Sequence, residues 1–297
     1  MSPPAPRAPK FPLRLDQMTA PAKVLKPTLT AAPRPAPRSV ATPTRPVAVL
    51  QRAVLRPQAH LQHAHAEATR RAAPSGLGLD SADVRQRMVR RLHANGVHHE
   101  TVLDAMARVP RHLFVDPALV TQSYEDTSLP IGHGQTISKP SVVARMIELL
   151  MAGSNARAAG SLGRVLEVGS GCGYQAAVLS LLARQVMSIE RVRPLHDKAR
   201  EMLSRLQIDR VRLVYGDGML GHPPNAPYDS IIAAAGGDAL PQAWLDQLAL
   251  GGRLVSPLRQ PGSAQQVLVV VDRTERGCVH TIHETVNFVP LKSGLAG

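Results

Sequence analysis

"RVLEVGSGCGYQAAVL", residues 164–179, opens as an apolar run and closes as a helical pattern, with Gly169, Gly171 and Gly173 between the two. A buried strand, a glycine turn and a helix in succession form the unit from which parallel sheets are built, and the alternation continues downstream. "QVMSIE" reads as a strand, "RPLHDKAREMLSRL" as a helix, and "VRLVYGD", "YDSIIAAAG" and "GRLVSPL" as strands, with "PQAWLDQLAL" helical before the last. "QQVLVVVDR" and "CVHTIHETVNFVPL" then read as two strands with no helix between them. Such a hairpin puts an antiparallel member into an otherwise parallel sheet. The expected architecture is a three-layer α/β fold with helices on both faces of the sheet.

Working upstream, Val84, Met88 and Leu92 form one helical stripe and Val102, Met106 and Val109 another, with a break at Asn95-Gly96. Two helices ending at Pro110 are expected. "VDPALVTQSYEDTSLPIGHGQTIS", 115–138, reads mostly as loop, and a helix follows from Pro140 to Met151 because proline is tolerated in a first turn.

The chain divides by composition near residue 78. Residues 1–78 hold 14 of the 26 prolines and twelve of the 35 Lys and Arg, but only Asp16 and Glu67 among the acids, so ten of the thirteen net positive charges sit there. Proline denies that segment amide donors and its apolar residues are sparse, so a disordered basic extension is expected before a near-neutral domain at 79–297. Its Arg and Lys can touch nucleic acid or an anionic membrane, but a basic linker without a specific partner is the preferred reading. No apolar core of a signal peptide and no 18-residue apolar run is present. Two cysteines, Cys172 and Cys278, make neither a disulfide framework nor a paired metal motif, and a reducing cytoplasm is the simplest home.

The glycine turn is itself a weak signal, since a strand–helix turn can be glycine-rich without a ligand. Two further residues sharpen it. Glu190 ends the second strand, where a carboxylate can accept both ribose hydroxyls, although an exposed strand-end Glu is an equal reading. Asp217, in "YGDGML", ends the third strand, placed to receive an adenine amino group or to serve merely as a turn residue. Three features on successive strand ends point to an adenosine ligand. The spacing is G-x-G-x-G with Tyr174 where a dinucleotide fingerprint has glycine, and no Walker lysine follows. S-adenosylmethionine, which has no pyrophosphate, fits this shorter turn.

The sequence resembles the protein-L-isoaspartate O-methyltransferases in "VPRHLFV" (109–115), "YEDTSLPIGHGQTISKP" (124–140), "VLEVGSGCGYQAAVL" (165–179), "GDG" (216–218) and "NFVPL" (287–291). The likeness spans about residues 80 to 291, and "LPIGHGQTIS" is its most specific part. It departs at Lys139, at "IIAAAGG" and at "SPLRQPG". The resemblance implies a seven-stranded Rossmann-like methyltransferase sheet with an antiparallel C-terminal strand. It also implies S-adenosyl-L-methionine as donor, and methylation of the free carboxylate of L-isoaspartyl and D-aspartyl residues in damaged proteins and peptides. It gives Ser138 the catalytic position, Gln135, Thr136 and Ile137 the positioning of substrate, and Glu167, Gly169, Ser170, Gly171, Gly173, Glu190, Asp217 and Gly218 the cofactor. No metal is expected, and a monomer is.

By spacing alone, Ser138 is a helix N-cap two residues before Pro140; the whole motif favours an orienting donor, and both roles are compatible. His133 reads as a solvent-facing loop residue, Cys172 as a small packing residue, and Trp244 as packing a helix onto the sheet. Two other classes stay open at this point: a methyltransferase for RNA or a small molecule, and a non-catalytic nucleotide binder with a nucleic-acid-binding tail.

Overall fold

In this computed structural model, residues 82–260 and 262–297 are described. The expected extension at 1–78 lies outside them. In chain order the helices are α1 (Ala82–Ala94), α2 (Glu100–Arg108), α3 (Pro140–Met151), α4 (Ser154–Ala159), α5 (Tyr174–Ser180), α6 (Arg193–Arg205) and α7 (Gln242–Gln247). The strands are β1 (Leu129–Gly132), β2 (Gln135–Ile137), β3 (Arg164–Val168), β4 (Gln185–Glu190), β5 (Val211–Tyr215), β6 (Tyr228–Ala233), β7 (Leu248–Arg259), β8 (Gln266–Thr274) and β9 (Gly277–Val286).

The last seven strands form one sheet in the order β5-β4-β3-β6-β7-β8-β9. Pairing is parallel from β5 through β7, and β8 pairs antiparallel with both neighbours. The two-residue period of a strand divides the core between the sheet's faces. Val165 joins a cluster with Met106, Ile147, Leu150 and Val178, while Leu166 joins Met187, Ile231, Trp244 and Leu254 on the other side. The chain leaves β3 toward β4 and returns to β6 on β3's other flank, so the topological switch lies at the carboxyl end of β3, where open α/β sheets bind ligands.

Three local expectations need correction. The segment read as loop holds the antiparallel hairpin β1–β2, with Leu129 opposite Ile137. Its two-residue turn, His133–Gly134, has φ of 54° and 66°, and positive φ at both positions characterises the hairpin turn whose twist matches its strands. The helix read through Leu250 stops at Gln247, and Leu248–Leu250 begin β7 instead. Ser138 is not the cap of α3: Lys139 occupies that position, and Asp126 Oδ1 accepts from Ser141 N at 2.8 Å to satisfy the first turn.

Candidate active site

At the carboxyl end of β3 the chain turns through Gly169 (φ 90°) and Gly171 (φ 54°), conformations open to glycine, before α5 begins. The Gly171 N–H donates to Glu190 Oε2 and the Val192 N–H to Glu190 Oε1, both at 2.9 Å. One buried carboxylate therefore ties the glycine turn to the end of β4. Beneath the turn, Ser188 Oγ donates to Glu167 Oε2 at 2.5 Å and lies 2.5 Å from Ser170 Oγ. Burial pushes the Glu167 carboxyl up to about 8, against the opposing Ser188 and Gln175 side chains and with the nearby Glu190 charge adding to it. Glu167 Oε1 and Gln175 Nε2 are both buried, close enough to act on one another but outside the geometry of a full hydrogen bond.

A cavity of about 340 Å³ opens above this network. Its floor is the glycine turn, with Gln175, Ile189 and Glu190; the hairpin closes one side through Ile131, His133 and residues 135–138. The far wall is a strap from residue 289 onward. Gly236 N donates to Val289 O (2.9 Å), Leu291 N to Gly236 O (2.8 Å), Ala296 N to Arg191 O (2.8 Å) and Arg193 N to Ala296 O (2.9 Å). The strap thus crosses the strand ends from β6 to β4. A concave, part-apolar space with a buried amide and a buried carboxylate at a switch point is suited to an adenosine-bearing ligand.

The model of the protein-L-isoaspartate(D-aspartate) O-methyltransferase family matches residues 83–296. The chain belongs to this family. A protein-L-isoaspartate O-methyltransferase of Methylibium petroleiphilum is 59% identical over 288 residues, 97% of each chain. Among solved structures, a protein-L-isoaspartate O-methyltransferase with 29% identity gives a TM-score of 0.62, over 71% of this chain and 67% of that one. A beta-aspartate methyltransferase from Plasmodium falciparum, solved with S-adenosyl-L-homocysteine, has 26% identity and a TM-score of 0.58, over 70% of this chain and 98% of that one. This isoaspartate O-methyltransferase family member is thus an enzyme that uses S-adenosyl-L-methionine as its methyl donor.

Nine of the twelve site residues expected from the sequence line the cavity: Gln135, Thr136, Ile137 and Ser138 from the hairpin side, and Gly169, Ser170, Gly171, Glu190 and Gly218 from the strand ends. Glu167, Gly173 and Asp217 do not. Glu167 supports the turn from below. Gly173 is a packing glycine: a Cβ there would come within 3.2 Å of Ala199 Cβ on α6. Asp217 is turned to the strap. Its Oδ1 accepts from Met219 N at 2.9 Å, and its Oδ2 from Ser293 Oγ at 2.8 Å and Gly294 N at 2.7 Å. Burial raises that carboxyl, but these donors outweigh it and hold it below the usual carboxylate range. The adenine amino group assigned to Asp217 by the strand-end pattern would have to compete with donors already in place.

The sequence reading ran the last strand on through Leu291, whereas β9 ends at Val286 and the residues from 289 form the strap; it gave Arg111 no role. Arg111 is fully buried, and its Nε donates to Ser123 O and its Nη2 to Ser138 O, each at 2.7 Å. Trp244 packs its helix on the sheet as expected and also donates from Nε1 to Gly218 O at 2.8 Å, steadying a cavity residue. His133 is exposed, as expected, yet also borders the cavity. Among the described residues there is no cluster of His, Cys, Asp and Glu able to hold a metal and no helix long and apolar enough to cross a membrane.

Proposed function

We propose that Ser138 orients the free carboxylate of an L-isoaspartyl or D-aspartyl residue toward a donor held in the cavity, initiating repair of damaged proteins and peptides. The observation that carries this reading is the place of Ser138. It lines the cavity and also an adjacent groove bordered by Ser128, Lys139, Asn287 and Phe288. Of the four residues common to both spaces, Thr136, Ser138, Ala234 and Val289, Ser138 offers a half-buried hydroxyl where a peptide in the groove would meet the donor.

Bound S-adenosyl-L-methionine supplies an electrophilic methyl group on a sulfonium. The glycine turn, Ser170 and Gly218 would border it, and Glu190, already fixed by two amides, offers its remaining lone pairs to the ribose hydroxyls. The Ser138 hydroxyl donates to the acceptor carboxylate, with Thr136 and Gln135 beside it and Ile137 buried to anchor the strand. A carboxylate with an ordinary pKa near 4 is ionised at neutral pH, so the chain needs to orient it and not to deprotonate it. Alignment of this kind supplies several kcal/mol. In the methyl ester, the substrate's following backbone nitrogen attacks the ester carbonyl, loses its proton and expels methanol, leaving a succinimide that water reopens in part to normal aspartate. The working unit is taken to be residues 79–297.

Ser138→Ala tests the assignment. Turnover should fall about 10- to 100-fold, the range for losing one charge-assisted hydrogen bond, while S-adenosyl-L-homocysteine affinity by calorimetry stays within about twofold. A parallel loss of donor affinity would place Ser138 on the donor and reject the division.

A further inference from the structure

We propose that Arg111 positions the acceptor loop and gives the acceptor site its preference for a charged carboxylate. The inference rests on the acceptor role assigned to Ser138 above.

Burying a guanidinium is costly, and the usual compensation is a carboxylate within ion-pair distance. Arg111 has none among the described residues. Its partners are neutral: the Ser123 and Ser138 carbonyls at 2.7 Å, and the face of Tyr174, whose ring centre lies 4.7 Å from the Arg111 Cζ. Nη1 is buried with no hydrogen-bond partner. Burial lowers the Arg111 guanidinium, and the Tyr174 phenol and the more distant Asp126 charge oppose this only in part. The Tyr174 hydroxyl donates to Met106 Sδ at 3.7 Å, and Asp126 accepts from the Ser141 amide. A cation in the core with two carbonyls, a phenol and no carboxylate at ion-pair distance among the described residues is only partly compensated.

The location of the missing anion follows from the neighbours. Ser138 and Tyr174 both line the cavity, so the guanidinium stands directly behind its wall at the acceptor end. One residue, Ser138, links the two jobs: its carbonyl is held by Arg111 while its hydroxyl faces the acceptor. Fixing the carbonyl fixes the backbone from which that hydroxyl projects. Across a wall of low polarity, the positive charge also attracts a carboxylate more strongly than it would in water. This attraction is present before methyl transfer and weakens as the carboxylate loses its charge, so it favours acceptor binding and not the chemical step.

The two roles separate by substitution. Arg111→Met removes the charge and the tie; Arg111→Lys keeps the charge but cannot serve both carbonyls through a planar fork. With the protein saturated with S-adenosyl-L-homocysteine, calorimetry would compare an isoaspartyl peptide with its α-carboxamide twin. The wild type should prefer the carboxylate, and Arg111→Met should reduce that preference about tenfold, with donor affinity within about twofold. Arg111→Lys should retain the preference and lose turnover about fivefold, since a loosened backbone misaligns the acceptor. Equal weakening of both peptides by Arg111→Met, or an unchanged preference, would overturn the electrostatic role. If Arg111→Met does not fold, Arg111→Lys decides: loss of the preference, or turnover equal to wild type, overturns the proposal. Absence of isoaspartyl methylation by the wild type would instead reject the acceptor reading beneath it.

Discussion

The two walls of the cavity, to which we assign the donor and the acceptor, are built in opposite ways. The donor wall is made of central strand ends, and its polar groups are buried and bonded to one another, from Glu167 through Ser188 to Ser170 and from Glu190 to two backbone amides. The acceptor wall is a short exposed hairpin with positive φ at Gly132, His133 and Gly134. Behind it stand the buried side chains of Ile131 and Ile137 and the Arg111 tie. The donor wall shares its stability with the core, so it can hold a cofactor common to many methyltransferases without adjustment. The acceptor wall hangs from a few residues, and there the choice of substrate can be set at little cost to the fold.

The comparison breaks most sharply at Glu190. Glu190→Ala should lower affinity for S-adenosyl-L-homocysteine about 100-fold, since two charge-assisted amide bonds and the proposed ribose contact go together. A loss below about threefold in a calorimetric titration would show that the glycine turn holds without it.

Glu167 sharpens the donor side through pH. Its carboxyl rises from an ordinary 4.5 to about 8 on folding, so between those values the folded protein keeps a proton that the unfolded chain has released. Stability from this group therefore falls as pH rises from 4.5 to 8. Glu167→Gln removes the dependence and should raise Tm by on the order of 10 °C more at pH 8 than near pH 4.5. An equal change at both pH values in thermal melts would mean that the carboxyl is not protonated in the fold.

The smallest expected effect concerns the strap. Asp217→Ala should speed release of S-adenosyl-L-homocysteine about threefold to fivefold, as loss of a surface-side anchor loosens one wall. Ser293→Ala should act through the same contact, so stopped-flow rates for the double variant should match Asp217→Ala alone. Multiplied effects would return Asp217 to direct contact with the adenine.

Legibility in the sequence followed the range of the forces involved. The parallel sheet was readable because its central strands are mostly buried, largely apolar runs such as "RVLEV" or "QVMSIE", and the glycine turn because its residues and its strand are adjacent. The hairpin was hidden because its turn residues look like those of any loop and its strands have only four and three residues. Asp217 carries a local pattern suited to a ligand, but its partners Ser293 and Gly294 lie 76 and 77 positions away, beyond any local motif. Arg111 was visible inside "VPRHLFV" yet carried no sign of burial, because its compensation comes from carbonyls and a ring supplied by other segments. The strap "PLKSGLAG" has no period at all and is placed by backbone hydrogen bonds to strand ends.

The central claim is that a peptide carboxylate displaced by one methylene is presented across Ser138 to the donor. Its most direct test is transfer of labelled methyl from S-adenosyl-L-methionine to an isoaspartyl peptide and to its normal-aspartyl twin of identical sequence. The expected result is base-labile ester on the isoaspartyl peptide alone, greatly reduced by Ser138→Ala. Equal labelling of both peptides, or labelling of neither, would contradict it.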